Sequence, residues 1–435
     1  MGAILWGLIG LLFGFLAIGV WIGIALLAVA VCLGYLFTSI TIDRLVPQYV
    51  FTIMTTPDLV ALPLFVLMGE FLFRTKLSAA LFSGLAPWAG LLPGRLLHVN
   101  VIGCSIFAAI SGSSAATTQV VGRMTLRELL RRGYSSDIAI GSLAGAGTLG
   151  FLIPPSTVMI MYGVLAEESV LRLFTAGVLP GVLLAGVFSA WIMIHTSVRK
   201  DMVPEGERAL RHMPFRQRLV ALRDLWPAMF LILCVLGSMY GGLATPSEAA
   251  ALGVVGALVV SLSQRALTWR GVRDILLGAV QTCSVIGVII LGAKVLGNIT
   301  ATLGIPDAVA GVVSSWELSP VMLIVALMLL YLILGTALEG FSMIATTLPV
   351  ILPIVTAAGF DKVWFGIFIV LVVEMAQITP PVAFNFVVLQ NITGRSTGYI
   401  ARVTLPYLLI MMGFVVFLAV FPEVVNFLPR LLLDS

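Results

Sequence analysis

Ser111-Gly112-Ser113-Ser114-Ala115-Ala116-Thr117-Thr118 decides the fold, because part of it returns half a chain later in the same company. In the first half Ala116-Thr117-Thr118 is followed by Gly133-Tyr134 and Ile153-Pro154-Pro155. In the second half Ala345-Thr346-Thr347 is followed by Gly359-Phe360 and Thr379-Pro380-Pro381. The Ala-Thr-Thr triplets stand 229 residues apart, and the glycines and Pro-Pro pairs 226 apart. Both copies lie in apolar sequence, and both put Pro-Pro where a membrane helix would continue. Paired interrupted segments at matching places in two halves are the sequence mark of a secondary transporter's binding site.

Composition agrees. Of 435 residues, 60% are hydrophobic and 10% charged, and mean hydropathy is +1.13. A soluble domain carries about 25% charged residues. The chain therefore reads as an all-α polytopic membrane protein in a lipid bilayer, and its longest polar stretch, 198–224, is too short for a soluble domain. No basic pattern beyond membrane-flanking charge points to nucleic acid. Cys32, Cys104, Cys234 and Cys283 stand singly, without metal or redox spacing. No His or Lys base adjoins Ser111–Ser114, and no Gly-x-x-x-x-Gly-Lys-Ser/Thr occurs. Neither an enzyme nor a direct ATP motor is expected, nor any organic cofactor. Met1 to Trp6 has no basic n-region, so no cleaved signal peptide is expected.

Lys and Arg collect on cytoplasmic loops. Arg199, Lys200, Arg208, Arg211, Arg216, Arg218 and Arg223 crowd one loop and anchor the topology. Spans at 226–243 and 247–263 follow, and Arg265, Arg270 and Arg273 mark the return inside. Around Cys104–Met124, Arg95 precedes and Arg123, Arg127, Arg131 and Arg132 follow, so both ends face the cytoplasm. Such a segment is a re-entrant hairpin, whose non-helical tip must be buried in protein or line water. The second copy, Gly335 to Pro353, has only Lys362 beside Asp361 at its rim and opens externally. Opposite rims mean inverted repeats. Residues 78–93 are expected to lie at the interface, keeping Arg74 and Arg95 on one side.

The expected organisation has scaffold helices over 1–60 and a first inverted repeat over 61–198. That repeat holds a cytoplasm-opening hairpin at about 100–130 and a broken helix at about 138–165. A basic loop at 199–224 and scaffold helices at 225–300 lead to a second repeat over 301–435. It holds a periplasm-opening hairpin at about 335–358 and a broken helix at about 364–391. Helices broken near mid-membrane expose N–H groups that favour anions and carbonyls that favour cations. Pro154-Pro155 and Pro380-Pro381 remove donors and stop helices. Hydroxyls of Ser111, Ser113, Ser114, Thr117, Thr118, Thr148 and Ser156 sit at the same level. Oxygen-rich surroundings suit a hard monovalent cation or an organic anion.

Ser111 to Thr118, Gly133-Tyr134, Gly147 to Ser156 and Tyr162-Gly163 resemble the DctM-like large membrane subunit of the tripartite ATP-independent periplasmic (TRAP) transporters, as do Leu62 to Glu70 and Ile378 to Val382. The match runs through nearly the whole chain in order. It implies an elevator-type ion transporter fold in a bacterial inner membrane, importing organic acids on a sodium gradient. It further implies a periplasmic solute-binding protein that delivers substrate and a small four-helix (DctQ-like) membrane subunit as a separate chain. Carried over by position, one sodium site uses Ser111, Ser113, Ser114, Gly147 and Thr148; a second uses Gly335, Glu339, Met375, Gln377 and Thr379. Substrate lies near Ser114, Thr117, Pro155, Ser156, Thr346 and Pro381. The chain departs from the family pattern with Gln377 and Ala383 where glycine is frequent, Glu374 where an amide is common, and Lys294. Intramembrane ionisable residues default to function: Glu339 or Glu374 is a candidate to bind sodium or carry a proton, and Lys294 to pair with either or meet a substrate carboxylate. Glu70 belongs to the same class. A stand-alone sodium- or proton-coupled carboxylate transporter and an ion channel are the rival readings.

Overall fold

The protein is seen in a computed structural model that describes residues 2–75, 77–204, 213–380 and 383–433. Among these residues there is no strand. Five helices open the chain: α1 Gly2–Ala17, α2 Ile22–Phe37, α3 Ile42–Thr55, α4 Pro57–Phe73 and α5 Leu77–Ala89. Next come α6 Leu97–Ser111, α7 Ser114–Arg131, α8 Ser136–Gly147, α9 Thr157–Ala166 and α10 Val170–Val198. Then α11 Phe215–Ala221, α12 Trp226–Ile232 and α13 Ser238–Tyr240 follow one another as a single 26-residue apolar run. The rest is α14 Pro246–Ser263, α15 Trp269–Thr302, α16 Ile305–Ser314, α17 Pro320–Gly335, α18 Gly340–Ala357, α19 Lys362–Ala376, α20 Phe384–Thr393, α21 Thr397–Val420 and α22 Glu423–Leu433.

Among the described residues six helices are long and apolar enough to cross a bilayer, seven if α3 and α4, bent by 63°, count as one span. Local chemistry sets where many of them start. Ser113, Ser156, Ser169, Thr268 and Ser319 each accept a backbone N–H of the helix they precede. Thr245 and Glu248 form a capping box at the start of α14.

Two neighbouring helix pairs fold back on themselves. A Cβ on Gly103 would sit 3.5 Å from Val121, and these two residues are equidistant from Gly112. Tyr331 Oη and Thr347 Oγ1 are 2.6 Å apart, each eight residues from Glu339. So α6 folds back on α7, and α17 on α18. The second reversal is at 336–339, which makes that hairpin α17 plus α18; the expected 335–358 takes in only the turn and one arm. The segment is expected to close at Pro353, yet α18 runs through Pro349 and Pro353 to Ala357.

Two helices identify the interior. Every residue of α19 from Val363 to Ala376 is buried, as is every residue of α8 from Ile138 to Gly147. A helix apolar all round belongs in the middle of a large membrane protein. Around this bundle lies an outer layer of α2, α4, α14 and α15. Small residues bring its backbones together: a Cβ on Gly292 of α15 would lie 2.6 Å from the carbonyl of Gly23 in α2. Helix α5, at 13 residues about 20 Å long, is too short to span. Ser83 donates to Asp224 at 2.6 Å and Trp88 to the Arg218 carbonyl at 3.1 Å, which ties α5 to the basic segment.

The break after α8 presses on the turn after α6. A Cβ on Gly150 would collide with the backbone of Ser114. Gly150→Ala is therefore expected to cost about 1–3 kcal/mol through overpacking, read as a lower apparent Tm of the solubilised protein. Gly186→Ala, where a Cβ has nothing within 4 Å, should leave it unchanged.

Candidate functional site

Gly112 ends α6 in the left-handed region (φ 60°), and Ser113 caps α7 by accepting the Ala116 N–H at 3.4 Å. Pro154 and Pro155 end the turn after α8, and Ser156 caps α9 by accepting the Met159 N–H at 3.3 Å. The two reversals are joined. The Gly112 carbonyl accepts the Thr157 N–H at 3.4 Å and its hydroxyl at 3.0 Å. Ser114 donates its hydroxyl to the Gly147 carbonyl at 3.0 Å and accepts from Asn385 Nδ2 at 2.9 Å. The Phe151 N–H, freed by the break, donates to Glu374 Oε1 at 2.6 Å.

Of the first expected sodium set, Ser114, Gly147 and Thr148 come together. Thr148 is turned back onto the Gly145 carbonyl at 2.6 Å. Ser111 and Ser113 line an adjoining cavity instead, and Ser111 shares a hydrogen bond with Thr117 at 3.0 Å. In the second set Gly335 packs on Ala376 at the end of α19. The Met375 carbonyl takes the Thr379 hydroxyl at 2.7 Å, and Gln377 O takes the Asn385 N–H at 3.2 Å. Glu339 turns elsewhere: it caps α18 and faces an apolar groove with Trp21 and Val288.

The expected pairing of Lys294 with Glu339 or Glu374 is not what forms. Lys294 Nζ lies 2.9 Å from Glu167 Oε1, while Glu374 is engaged with the Phe151 backbone and Glu339 with the start of α18. Pro155 offers its carbonyl to the Gly112 position, 2.7 Å from a Cβ there. Thr346 bonds its own helix at the Ser342 carbonyl, and Pro381 lies outside the described residues.

Four buried oxygens in this neighbourhood have no hydrogen-bond partner: Glu374 Oε2, Gln377 Oε1, Asn385 Oδ1 and Thr118 Oγ1. Glu374 is wholly buried, and no Lys or Arg pairs with it among the ion pairs of the described residues. A buried carboxylate and orphaned acceptors are costly unless something positive joins them. The donors are all hard oxygens, which suits a cation such as sodium and not a soft metal. Among the described residues no three His, Cys, Asp or Glu gather as a metal site.

Against the hairpin tip and Phe151 is a cavity of about 140 Å³, room for about five waters. Ser113, Thr157 and Phe341 line it, and they stand at the N-terminal ends of α7, α9 and α18. Three helix starts facing one cavity favour an anion there. Glu70 and Phe73 of α4 and Thr282 and Ile286 of α15 form the far wall. Phe151 stacks edge-on to Phe341 at 6.0 Å, closing the cavity between the two halves.

Sequence reasoning assigned no role to Asn385, Thr157, Phe151 or Phe341. Asn385 had no signal, since the residue 226 earlier is Met159. Phe151, Thr157 and Phe341 border reversals that were themselves recognised. Ser114→Ala would leave the Gly147 carbonyl and Asn385 Nδ2 unpaired. The expected loss is about 1–3 kcal/mol, measured as a fall in apparent Tm that Ser105→Ala, on an outer turn of α6, does not reproduce.

A family model described as "Tripartite ATP-independent periplasmic transporter, DctM component" matches residues 9–424. The C4-dicarboxylate TRAP transporter large permease protein DctM of Pseudomonas aeruginosa is 33% identical over 377 residues, covering 86% of each chain. The isethionate TRAP transporter permease protein DctMQ of Oleidesulfovibrio alaskensis is 30% identical over 414 residues, 94% of this chain and 63% of that one. Among solved structures, the YdaH transporter of Alcanivorax borkumensis superposes with a TM-score of 0.57 at 14% identity, over 93% of this chain and 97% of that chain. That likeness speaks for the fold alone.

Proposed function

Because the chain belongs to the tripartite ATP-independent periplasmic transporter family as a DctM component, a multi-pass inner-membrane permease and not an enzyme, we propose that it imports a small organic acid by sodium symport. The observation that carries this is a hairpin tip that lines a cavity faced by three helix starts through Ser113 and bonds a residue with an orphaned, buried oxygen, Asn385, through Ser114. One set of groups wants a cation and the other an anion, and they share the tip of one hairpin.

The residues divide the work. Ser113, Thr157 and the start of α18 hold and orient the acid's carboxylate. Ser114, the Gly147 carbonyl, Asn385 and Glu374 offer the cation site. Bound sodium would supply the positive charge that this oxygen cluster lacks. Phe151 and Phe341 keep water from the cavity. Hydrogen bonds through Gly112, Ser114 and Phe151 tie tip, break and α19 into one body. Such a body would slide past α4 and α15 as an elevator. Both hairpins would then be re-entrant, opening on opposite faces. A periplasmic binding protein would deliver the acid, and a small membrane subunit would brace the outer layer. The DctMQ name of the isethionate relative fits that partnership.

The test is uptake into proteoliposomes holding this chain and its small membrane partner, with loaded binding protein outside. Succinate, pyruvate, gluconate and isethionate represent the acid classes. Uptake is expected only with an inward sodium gradient and the binding protein. Uptake without the binding protein would favour a stand-alone carrier; conductance without saturation would favour a channel. Glu374→Gln keeps an acceptor for Phe151 and removes the charge. It should raise the sodium concentration for half-maximal uptake about ten-fold, the equivalent of roughly 1.4 kcal/mol. An unchanged sodium dependence would remove Glu374 from the coupling.

A further inference from the structure

The pair formed by Lys294 and Glu167 joins two bodies that the carrier reading sets in relative motion. Lys294 belongs to α15, in the outer layer. Glu167 ends α9, in the body that carries the hairpin tip, where it adopts φ 54°. The partners differ in setting: the Lys294 side chain is 19% exposed and that of Glu167 81%. One is built into the wall and the other hangs at the edge of the moving part. An exposed partner makes the pair cheap to separate. Lys294 holds the Glu167 carboxyl below the usual carboxylate range, as expected for a pair that forms in the resting protein.

Open space meets Lys294. Cavities of about 420 and 230 Å³ share Tyr49, Glu167 and Lys294. Asp58, Glu167 and Glu168 are the other charged groups on them, and Lys294 is the only cation lining them among the described residues. Lys362 nearby is engaged with the Ala166 carbonyl at 3.2 Å. With Lys294 neutralised by Glu167, this vestibule is net acidic and unwelcoming to an anion.

Position along α15 gives the vestibule its meaning. The helix starts at the basic 265–273 segment, so its later residues lie toward the external face. Thr282 and Ile286 line the substrate cavity, and Ile290 and Lys294 continue the same i, i+4 ridge. Lys294 is therefore about 12 Å beyond Ile286 along the helix. Raising the tip by that much brings the substrate cavity to Lys294 and carries Glu167 and Glu168 away. In the lowered position seen here the wall offers Glu70 instead, packed against Gly278. Its nearest cation, Arg74, is turned to Asp274 at 3.4 Å.

We infer that Lys294 meets the carboxylate of the acid when the body is raised, and that Glu167 takes that carboxylate's place when it is lowered. The inference rests on the proposed function above. The wall then changes from basic to acidic along the path. Lys294 favours loading from outside; Glu70 favours release inside. Glu167 keeps the outer vestibule shut to anions on the return.

The experiment uses the same proteoliposomes, with the acid of the four that wild type takes up fastest. It compares Lys294→Gln, Lys294→Arg, Glu167→Gln and the Lys294→Gln/Glu167→Gln double variant. Half-saturation for the loaded binding protein is expected to rise about ten-fold in Lys294→Gln, the scale of one lost charge-assisted contact. Lys294→Arg should restore it, and Glu167→Gln should leave it the same or lower. The double variant should resemble Lys294→Gln. A pair that only holds helices together would give equal effects in the two single Gln variants, and that result overturns the inference. Should Lys294→Gln not insert, Glu167→Gln decides alone, because a rise in half-saturation there overturns it too. Wild type idle with all four acids would instead remove the carrier reading, and this inference with it.

Discussion

A helix broken inside a membrane protein needs partners for the backbone groups it frees, because lipid supplies none. Here the partners come from the tip of a neighbouring hairpin. The Gly112 carbonyl accepts from Thr157, Ser114 donates to the Gly147 carbonyl, and the Phe151 N–H donates to Glu374. Gly112 can turn because φ is 60° there, and Gly150 lets the two backbones touch. With this seam in place three helix starts aim at one cavity. Without it, each reversal would carry unsatisfied groups, and the site would have no fixed geometry.

The seam also explains how the molecule divides. Tip, break and α19 are held by directional bonds between buried groups. Against α4 and α15 the contacts of the same body are close packing, with a Cβ on Gly69 3.3 Å from the Ser111 carbonyl and a Cβ on Gly297 3.4 Å from Pro349, a cavity, and the Lys294–Glu167 ion pair. Directional bonds resist sliding, whereas apolar faces and an exposed ion pair do not. A difference in bond type therefore separates a candidate moving part from its wall. The outer layer is held differently again, by close backbone approach at Gly23 and Gly292.

How much of this was legible follows from what leaves a periodic trace. The two reversals and breaks were visible because Ser-Gly-Ser-Ser, Gly-Thr-Leu-Gly and Pro-Pro interrupt apolar runs, and because Ala-Thr-Thr returns 229 residues later and Pro-Pro 226 residues later. The extent of the second hairpin was not, since its first arm, α17, has no internal break to mark it. The partner of Lys294 was not legible either. Glu167 ends α9 in a loop, and only the fold brings it across the chain distance of 127 residues. Asn385 was invisible for a third reason: it serves the first hairpin from the second repeat, so internal symmetry gives it no counterpart.

That last point reaches further than one residue. Matched at 226, Glu374 in the second copy stands where the first has Thr148, and at the helix starts Glu339 caps α18 as Ser113 caps α7. Carboxylates have replaced hydroxyls in one copy only. A hydroxyl can satisfy itself on its own helix, as Thr148 does on Gly145. A buried carboxylate cannot, and Glu374 instead crosses to the break of the other repeat. The departure from symmetry thus becomes the bond between the halves. It also leaves Oε2 without a hydrogen-bond partner, so the side chain that joins the repeats is also one with an acceptor to spare.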